Sequence, residues 1–375
     1  MKKALVTLMA AIFLLGCYLP VYAADVDLYG SARMTTFWTD SSEEVTGGDS
    51  ETQLDHTLQG NARIGAHFDA GAIGGRFEYG HGDGNTSLRL LYATFDAAGG
   101  EILVGQSYAP YGAGSFISNQ IYGSDADMLQ FIGYTGRKPM LQYSTGGFKI
   151  ALVEPQTAGS YSDTELVKTE TYDEDGNSTG SFYTEETNST DGDPEILLPQ
   201  LQLSYDMTVM EGMSMHAAGV VQSYELQEFD DEKLTAWGLT ANTKFTALDP
   251  LYVNAGGFYG QNVAHFGQWA DKADSEADVN DEGKIEDTNS YGLLLALGTQ
   301  LDTVGLEAGV GYNASENDLW DEDDEVMAYY VQATVPIMDN AKITPEIGFY
   351  DYKDDADGDD AGDELYAGFQ VRVDF

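Results

Sequence analysis

The chain has 375 residues, with 63 Asp and Glu against 17 Lys and Arg, and a formal net charge of -46. That excess argues against nucleic acid as a partner, because binding it rests on basic surface. The single cysteine, Cys17, lies in the leading segment, so a chain cut after Ala23 or Ala24 has no disulfide and no thiolate metal site.

Lys2 and Lys3, the apolar run from Ala4 to Leu15 and the small-residue signal Val21-Tyr22-Ala23 read as an export leader, residues 1-24, that is removed. The run falls short of the roughly 20 apolar residues of a spanning helix. Leu14-Leu15-Gly16-Cys17 also resembles a lipoprotein box that would lipidate Cys17, but a strand starting at Val26 favours the later cut.

After the leader no segment resembles a transmembrane helix, and the hydropathy alternates instead. Val26, Leu28, Gly30, Ala32 and Met34 interleave with Asp27, Tyr29, Ser31 and Arg33, a strand with one dry and one wet face. The pattern returns at Leu58, Ala62, Ile64, Ala66 and Phe68 against Gln59, Asn61, Arg63 and His67, and at Ile73, Phe77 and Tyr79 against Arg76 and Glu78. It is cleanest at the end, where Leu365, Ala367, Phe369, Val371, Val373 and Phe375 share one face and Tyr366, Gln370, Arg372 and Asp374 the other. Alternation and turn signals together predict sixteen strands in one domain, 25-375: 26-38, 56-68, 72-80, 87-95, 101-108, 138-144, 147-154, 197-206, 214-225, 233-245, 251-260, 288-300, 305-313, 326-336, 341-352 and 363-375.

The connections carry a second signal. Every other one is short, as at 69-71, 145-146 and 337-340, while those between are mostly long and polar, as at 39-55, 155-196, 261-287 and 314-325. Short turns at one rim and long loops at the other predict an all-β transmembrane antiparallel barrel with both termini on the periplasmic side. A soluble sandwich shares the alternation; the unequal rims and the aromatic-ended last strand favour the membrane barrel.

Several stretches resemble the Gram-negative general porins, the sixteen-stranded trimeric outer-membrane family: Asp27-Leu-Tyr-Gly-Ser-Ala-Arg-Met34, Leu88-Arg-Leu-Leu-Tyr92, Gly105-Gln-Ser-Tyr-Ala-Pro-Tyr111, Gly136-Arg-Lys-Pro-Met-Leu-Gln-Tyr143 and the terminal Phe375. The resemblance implies a homotrimer in contact with lipid and lipopolysaccharide, a terminal aromatic used in assembly, and a third external loop, 109-137 here, folded into the lumen as an eyelet. The activity implied is passive diffusion of ions and small hydrophilic solutes, with no catalysis and no required cofactor.

All six arginines fall within or beside predicted strands. With the last strand closed on the first, Arg372, Arg33, Arg63, Arg76 and Arg89 form one basic wall, and Asp125 and Asp127 of the eyelet loop are the carboxylates expected to face it. Placing Arg89 inward puts Leu91 and Phe95 inward with it, under cover of the loop. The alternative is that these arginines only solvate a wet wall or pair with Glu78 and Asp27.

Most of the acid lies in external loops. Residues 155-195 hold eleven Asp and Glu against one Lys, 269-287 eight against two, and 314-325 seven against none. A crown of this kind concentrates cations and predicts a mild cation preference at the mouth. Asp173 and Asp175, and Asp355, Asp357 and Asp359, faintly resemble calcium loops without their full register. The rival functions are a substrate-specific channel that uses the arginines as an anion ladder, an adhesin, and a barrel hydrolase, for which no short-range nucleophile and base stand out.

Overall fold

A computed structural model describes residues 25-82, 85-112, 114, 116-158, 161-172, 178-190, 194-226, 232-270, 273-280 and 284-375. The leader with Cys17, and Asp173 and Asp175, lie outside the described residues.

The staves, in chain order, are β1 Asp25–Ser41, β2 in two segments Glu51–Leu58 and Arg63–Asp69, β3 Ile73–Gly82, β4 Asn85–Ala97, β5 Gly100–Tyr108, β6 Arg137–Thr145, β7 Phe148–Val153 and β8 Gln200–Met210. They continue as β9 Met213–Leu226, β10 Glu232–Leu248, β11 Leu251–Gln261, β12 Asn289–Gln300, β13 Gly305–Glu316, β14 Asp324–Met338, β15 Ala341–Tyr352 and β16 Asp363–Asp374. Each is antiparallel to its neighbours, and β16 closes on β1 from Ser31 opposite Asp374 to Ser41 opposite Glu364. The sheet has eighteen paired segments but sixteen staves, because both parts of β2 pair with β1 and Pro194–Glu195 only extends the pairing beside β9.

Closure at the seam reaches the last residue: Gly30 N–H donates to the Phe375 carbonyl at 2.6 Å and Phe375 N–H returns to Gly30 O at 3.0 Å. Asp25 and Phe375 therefore stand at the rim of the short turns. Those turns are tight for a local reason. At Ala98-Gly99 both residues have positive φ, 52° and 80°, the geometry that matches the right-handed twist of a two-residue hairpin.

The alternation has the expected physical meaning. On β12, Leu293 is 60 % and Leu295 39 % exposed, while Leu294 and Ala296 between them are buried inside. An apolar outward band on a closed sheet suits lipid, since no backbone donor or acceptor is left at a raw edge.

Two strands break the simple parity, and both breaks serve the lumen. In β2, five residue steps from Leu58 to Arg63 oppose only three from Met34 to Ser31, so Gln59–Asn61 bulge inward. In β4 a bulge at Arg89 changes parity: Arg89 is buried inside, whereas Leu91 and Phe95 face outward at 52 % and 39 % exposure. This corrects the expectation that Leu91 and Phe95 follow Arg89 inward.

Two external connections also differ from the sequence reading. Within 155-195, Tyr161–Tyr172 pairs with Ser178–Thr190 as a separate hairpin. The connection after β11 contributes inward structure, because its turn Val263–Phe266 is buried against β9 and β10, while Asp274 and Asp278 further along stay exposed.

Replacing Leu293 with Arg would set a charge in the outward apolar band. It should cost about 2–4 kcal/mol near the bilayer centre, read as a lower denaturant midpoint in phospholipid vesicles. An unchanged midpoint would show that this face does not meet lipid.

Candidate functional site: a basic lumen closed by an anchored loop

The register sets the basic wall. Arg33 stands directly opposite Arg372 across the seam, and Arg372 directly opposite Lys342 of β15. Like charges opposite one another in a sheet repel, so this row costs stability. Arg372 is relieved by Asp374, whose carboxylate accepts its Nε–H at 2.9 and 3.0 Å. Lys342 has no carboxylate partner among the described residues.

Further round, Glu78 is the hub. Its side chain is fully buried behind three arginines. Oε1 accepts Arg89 Nε–H at 2.7 Å and lies 3.5 Å from Arg63 Nη1; Oε2 accepts Arg76 Nη2–H at 2.9 Å and the Tyr29 hydroxyl at 2.8 Å. Arg76 also donates Nε–H to Tyr29 Oη at 2.7 Å and lies over that ring. One carboxylate orients three guanidinium groups without neutralising them. The pairing with Glu78 that the sequence left open is present; Asp27 instead lines an acidic recess at the short-turn rim with Asp25, Asp69, Asp96 and Glu101.

The loop between β5 and β6 crosses the lumen. Asp125 does not face the wall across open space: its carboxylate is bonded to Arg33 Nη1, and it accepts Gln59 Nε2–H at 3.0 Å, Asn61 Nδ2–H at 2.9 Å and Gln370 Nε2–H at 2.8 Å. The inward bulge of β2 supplies two of those donors. Gly123, Ser124 and Asp125 are all left-handed, with φ of 57°, 63° and 62°. Such a conformation costs a non-glycine residue roughly 1–3 kcal/mol, offset here by the bonds the turn delivers. Asp127 is spent elsewhere, accepting the Tyr350 hydroxyl at 2.6 Å.

Two carboxylates that the sequence reading missed hold the loop from β13 and β15. Glu307 of β13 accepts Asn119 N–H at 2.7 Å, Asn119 Nδ2–H at 2.6 Å and the hydroxyls of Tyr252 and Tyr330 at 2.6 Å each. Glu346 of β15 accepts the N–H groups of Ile121 and Tyr122 at 2.8 and 3.0 Å. The available signal was a lone carboxylate on the wet parity of its strand. Burial pushes the Tyr134 hydroxyl of the loop up to about 12, and burial with nearby Glu364 raises Tyr122 as well, so both stay neutral.

What remains open is a cavity of about 1030 Å³. Its walls carry eight cations, Arg33, Arg63, Arg76, Arg89, Arg137, Lys149, Lys342 and Arg372, against two carboxylates, Asp125 and Glu307. Tyr108, Phe116, Tyr134 and Trp269 form an aromatic side. Among the described residues no group of three or more His, Cys, Asp or Glu is placed to hold a metal; Asp355 instead accepts the N–H groups of Asp357 and Asp359 at 3.0 and 2.9 Å.

On the far side of the lumen the turn after β11 rests on the eyelet loop, Trp269 N–H donating to Tyr134 O at 2.8 Å. His265 is buried there. Its Nε2 accepts Ala277 N–H at 2.9 Å, and its Nδ1 lies 2.5 Å from the Tyr224 hydroxyl. Burial pulls this imidazole from 6.5 down to about 4.

Two outcomes follow from this geometry. Asp125→Ala leaves buried Arg33 without its partner, a loss of about 3–5 kcal/mol for the local packing, and should raise open-channel noise in single-channel recordings. For His265 the released loop takes up the proton first, so its packing is complete above pH 6.5 and weakens as pH falls toward 4, by about 3 kcal/mol in all. Amide exchange in 262-270 should accelerate across that window, and His265→Gln should flatten the dependence.

No family model and no curated protein sequence matches this chain. Solved structures do. The outer membrane channel DcaP of Acinetobacter baumannii superposes with a TM-score of 0.69 at 18% identity, covering 94% of this chain and 98% of that one. An anion-selective porin from Comamonas acidovorans gives 0.53 at 12% identity over 94% of this chain and 100% of that one. Salmonella typhi OmpF, solved with daunomycin, gives 0.54 at 16% identity over 93% and 97%. These neighbours are Gram-negative outer-membrane porins, and the chain shares their closed sixteen-stranded barrel.

Proposed function

We propose that this chain is a passive diffusion channel of a Gram-negative outer membrane, trimeric, with its termini in the periplasm and residues 1-24 removed as a leader. Supporting this reading is a closed barrel with an apolar outside and an inward loop beside which a polar cavity stays open. The pore is read as non-catalytic, because the charged groups that converge on it are guanidinium groups held by carboxylates, an arrangement suited to steering ions.

Selectivity is carried by one observation: in a chain of net charge -46, the eight cations of the cavity wall outnumber both its lining carboxylates, Asp125 and Glu307, and Glu78, Asp206 and Asp374 paired to them. Acidic loops at the mouth favour cations, but exposed charges there are screened within about 10 Å at 0.1 M salt. Charges lining a narrow passage act at short range and across less water. The eyelet therefore prefers small anions, and it outweighs the cation preference of the mouth. The row Lys342, Arg372 and Arg33 also favours the second reading, a channel specific for anionic solutes.

Planar-bilayer recording across a potassium chloride gradient tests both levels. Stepwise channels with a chloride-directed reversal potential are expected, and combined Arg63→Gln, Arg76→Gln and Arg372→Gln should move it toward potassium. Absence of channels would sink the pore reading; a potassium-directed wild type would assign selectivity to the mouth.

A further inference from the structure

Glu346 does not line the passage, yet it lies where the eyelet loop begins its decisive turn. Its side chain is buried, and its two oxygens hold consecutive backbone N–H groups, those of Ile121 and Tyr122. Two acceptor atoms on one side chain hold two successive backbone donors, which fixes the orientation of both peptide groups. The next three residues, Gly123, Ser124 and Asp125, are the left-handed run that brings the Asp125 carboxylate onto Arg33.

Direction matters in such a chain of contacts. A left-handed run of this kind aims its last side chain only if its first residue is fixed, because each φ and ψ reorients everything after it. Glu346 fixes the two residues before the run, and aromatic packing supports the same point: Tyr122 stacks on Tyr366 with ring centroids 3.9 Å apart. On the other flank, Gln59, Asn61 and Gln370 receive the carboxylate once it arrives.

We propose that Glu346 is a selectivity-determining positioning residue: by clamping the amides of Ile121 and Tyr122 it sets whether Asp125 reaches Arg33, and so how much positive charge the passage presents. The proposal rests on the reading of this barrel as a pore with a basic eyelet. Glu346 touches no solute. Its effect passes through the backbone to Asp125, and from Asp125 to Arg33 in the row it forms with Arg372 and Lys342.

The test is a double-mutant cycle in planar bilayers, reading reversal potential in a potassium chloride gradient. Glu346→Gln keeps one acceptor where two are needed and should shift the potential in the chloride direction, with the thermal unfolding midpoint of the barrel little changed. Asp125→Asn should shift it the same way, and the double variant should equal Asp125→Asn alone, because both act on one contact. Additive shifts would overturn the proposal, as would no shift in Glu346→Gln. A merely structural role would lower the midpoint and leave the selectivity of surviving channels unmoved. If the variant does not assemble, amide exchange on the wild-type protein decides: the Ile121 and Tyr122 amides should exchange slowly, and exchange as fast as that of open loop amides would overturn the clamp. Absence of any channel from the wild type is a different result, since it removes the pore reading and leaves the exchange measurement standing.

Discussion

Backbone closure is the constraint on which the rest of this structure depends. A sheet that faces hydrocarbon has no water to pair its edge groups, so its first and last strands must pair with each other. Here β1 and β16 do so from Ser31 opposite Asp374 to Ser41 opposite Glu364, and the bonds between Gly30 and Phe375 carry closure past the end of the last strand. Closure fixes the count of staves, and the count fixes which inward side chains become neighbours. Arg33 and Arg372, 339 positions apart in the chain, are opposite one another for that reason alone.

Given a closed sheet, the lumen is shaped by local departures from regularity. The β2 bulge turns Gln59 and Asn61 inward to meet Asp125, and the β4 bulge turns Arg89 inward while returning Leu91 to the outer face. A regular strand with a period of two could not present Arg89 to the inside without also burying the apolar groups of the same parity. The eyelet loop is then held from both flanks, by Glu307 and Glu346 on one side and by Arg33 with its neighbours on the other. Backbone strain at Ser124 and Asp125 is tolerated because both flanks over-determine the turn.

Charge is sorted by place. The chain as a whole is strongly acidic, yet all six arginines, with Lys149 and Lys342, line one cavity, where Glu78 orders Arg63, Arg76 and Arg89. The charge of the whole chain and that of the groups lining its cavity are thus opposite in sign. Net charge bears on solubility and on the mouth, while the field inside a narrow passage belongs to the few groups that line it.

Sequence alone determined the fold class, the sixteen strands and the unequal rims, because a half-wet strand imprints a period of two and tight turns demand particular residues. It also put Arg33, Arg63, Arg76 and Arg372 on the wet parity of their strands, whereas the inward place of Arg89 depends on the β4 bulge. It did not show that Asp125 is bonded onto the wall it was expected to oppose, that Asp127 turns to Tyr350, or that Glu346 and Glu307 anchor the loop. Nor did it show the inward turn that buries His265. Those relations join residues up to 225 positions apart through side-chain hydrogen bonds. A strand pattern is local and repeats; a loop has no such period, and its path is set by whichever polar partners the closed barrel brings within reach, which only the tertiary structure decides.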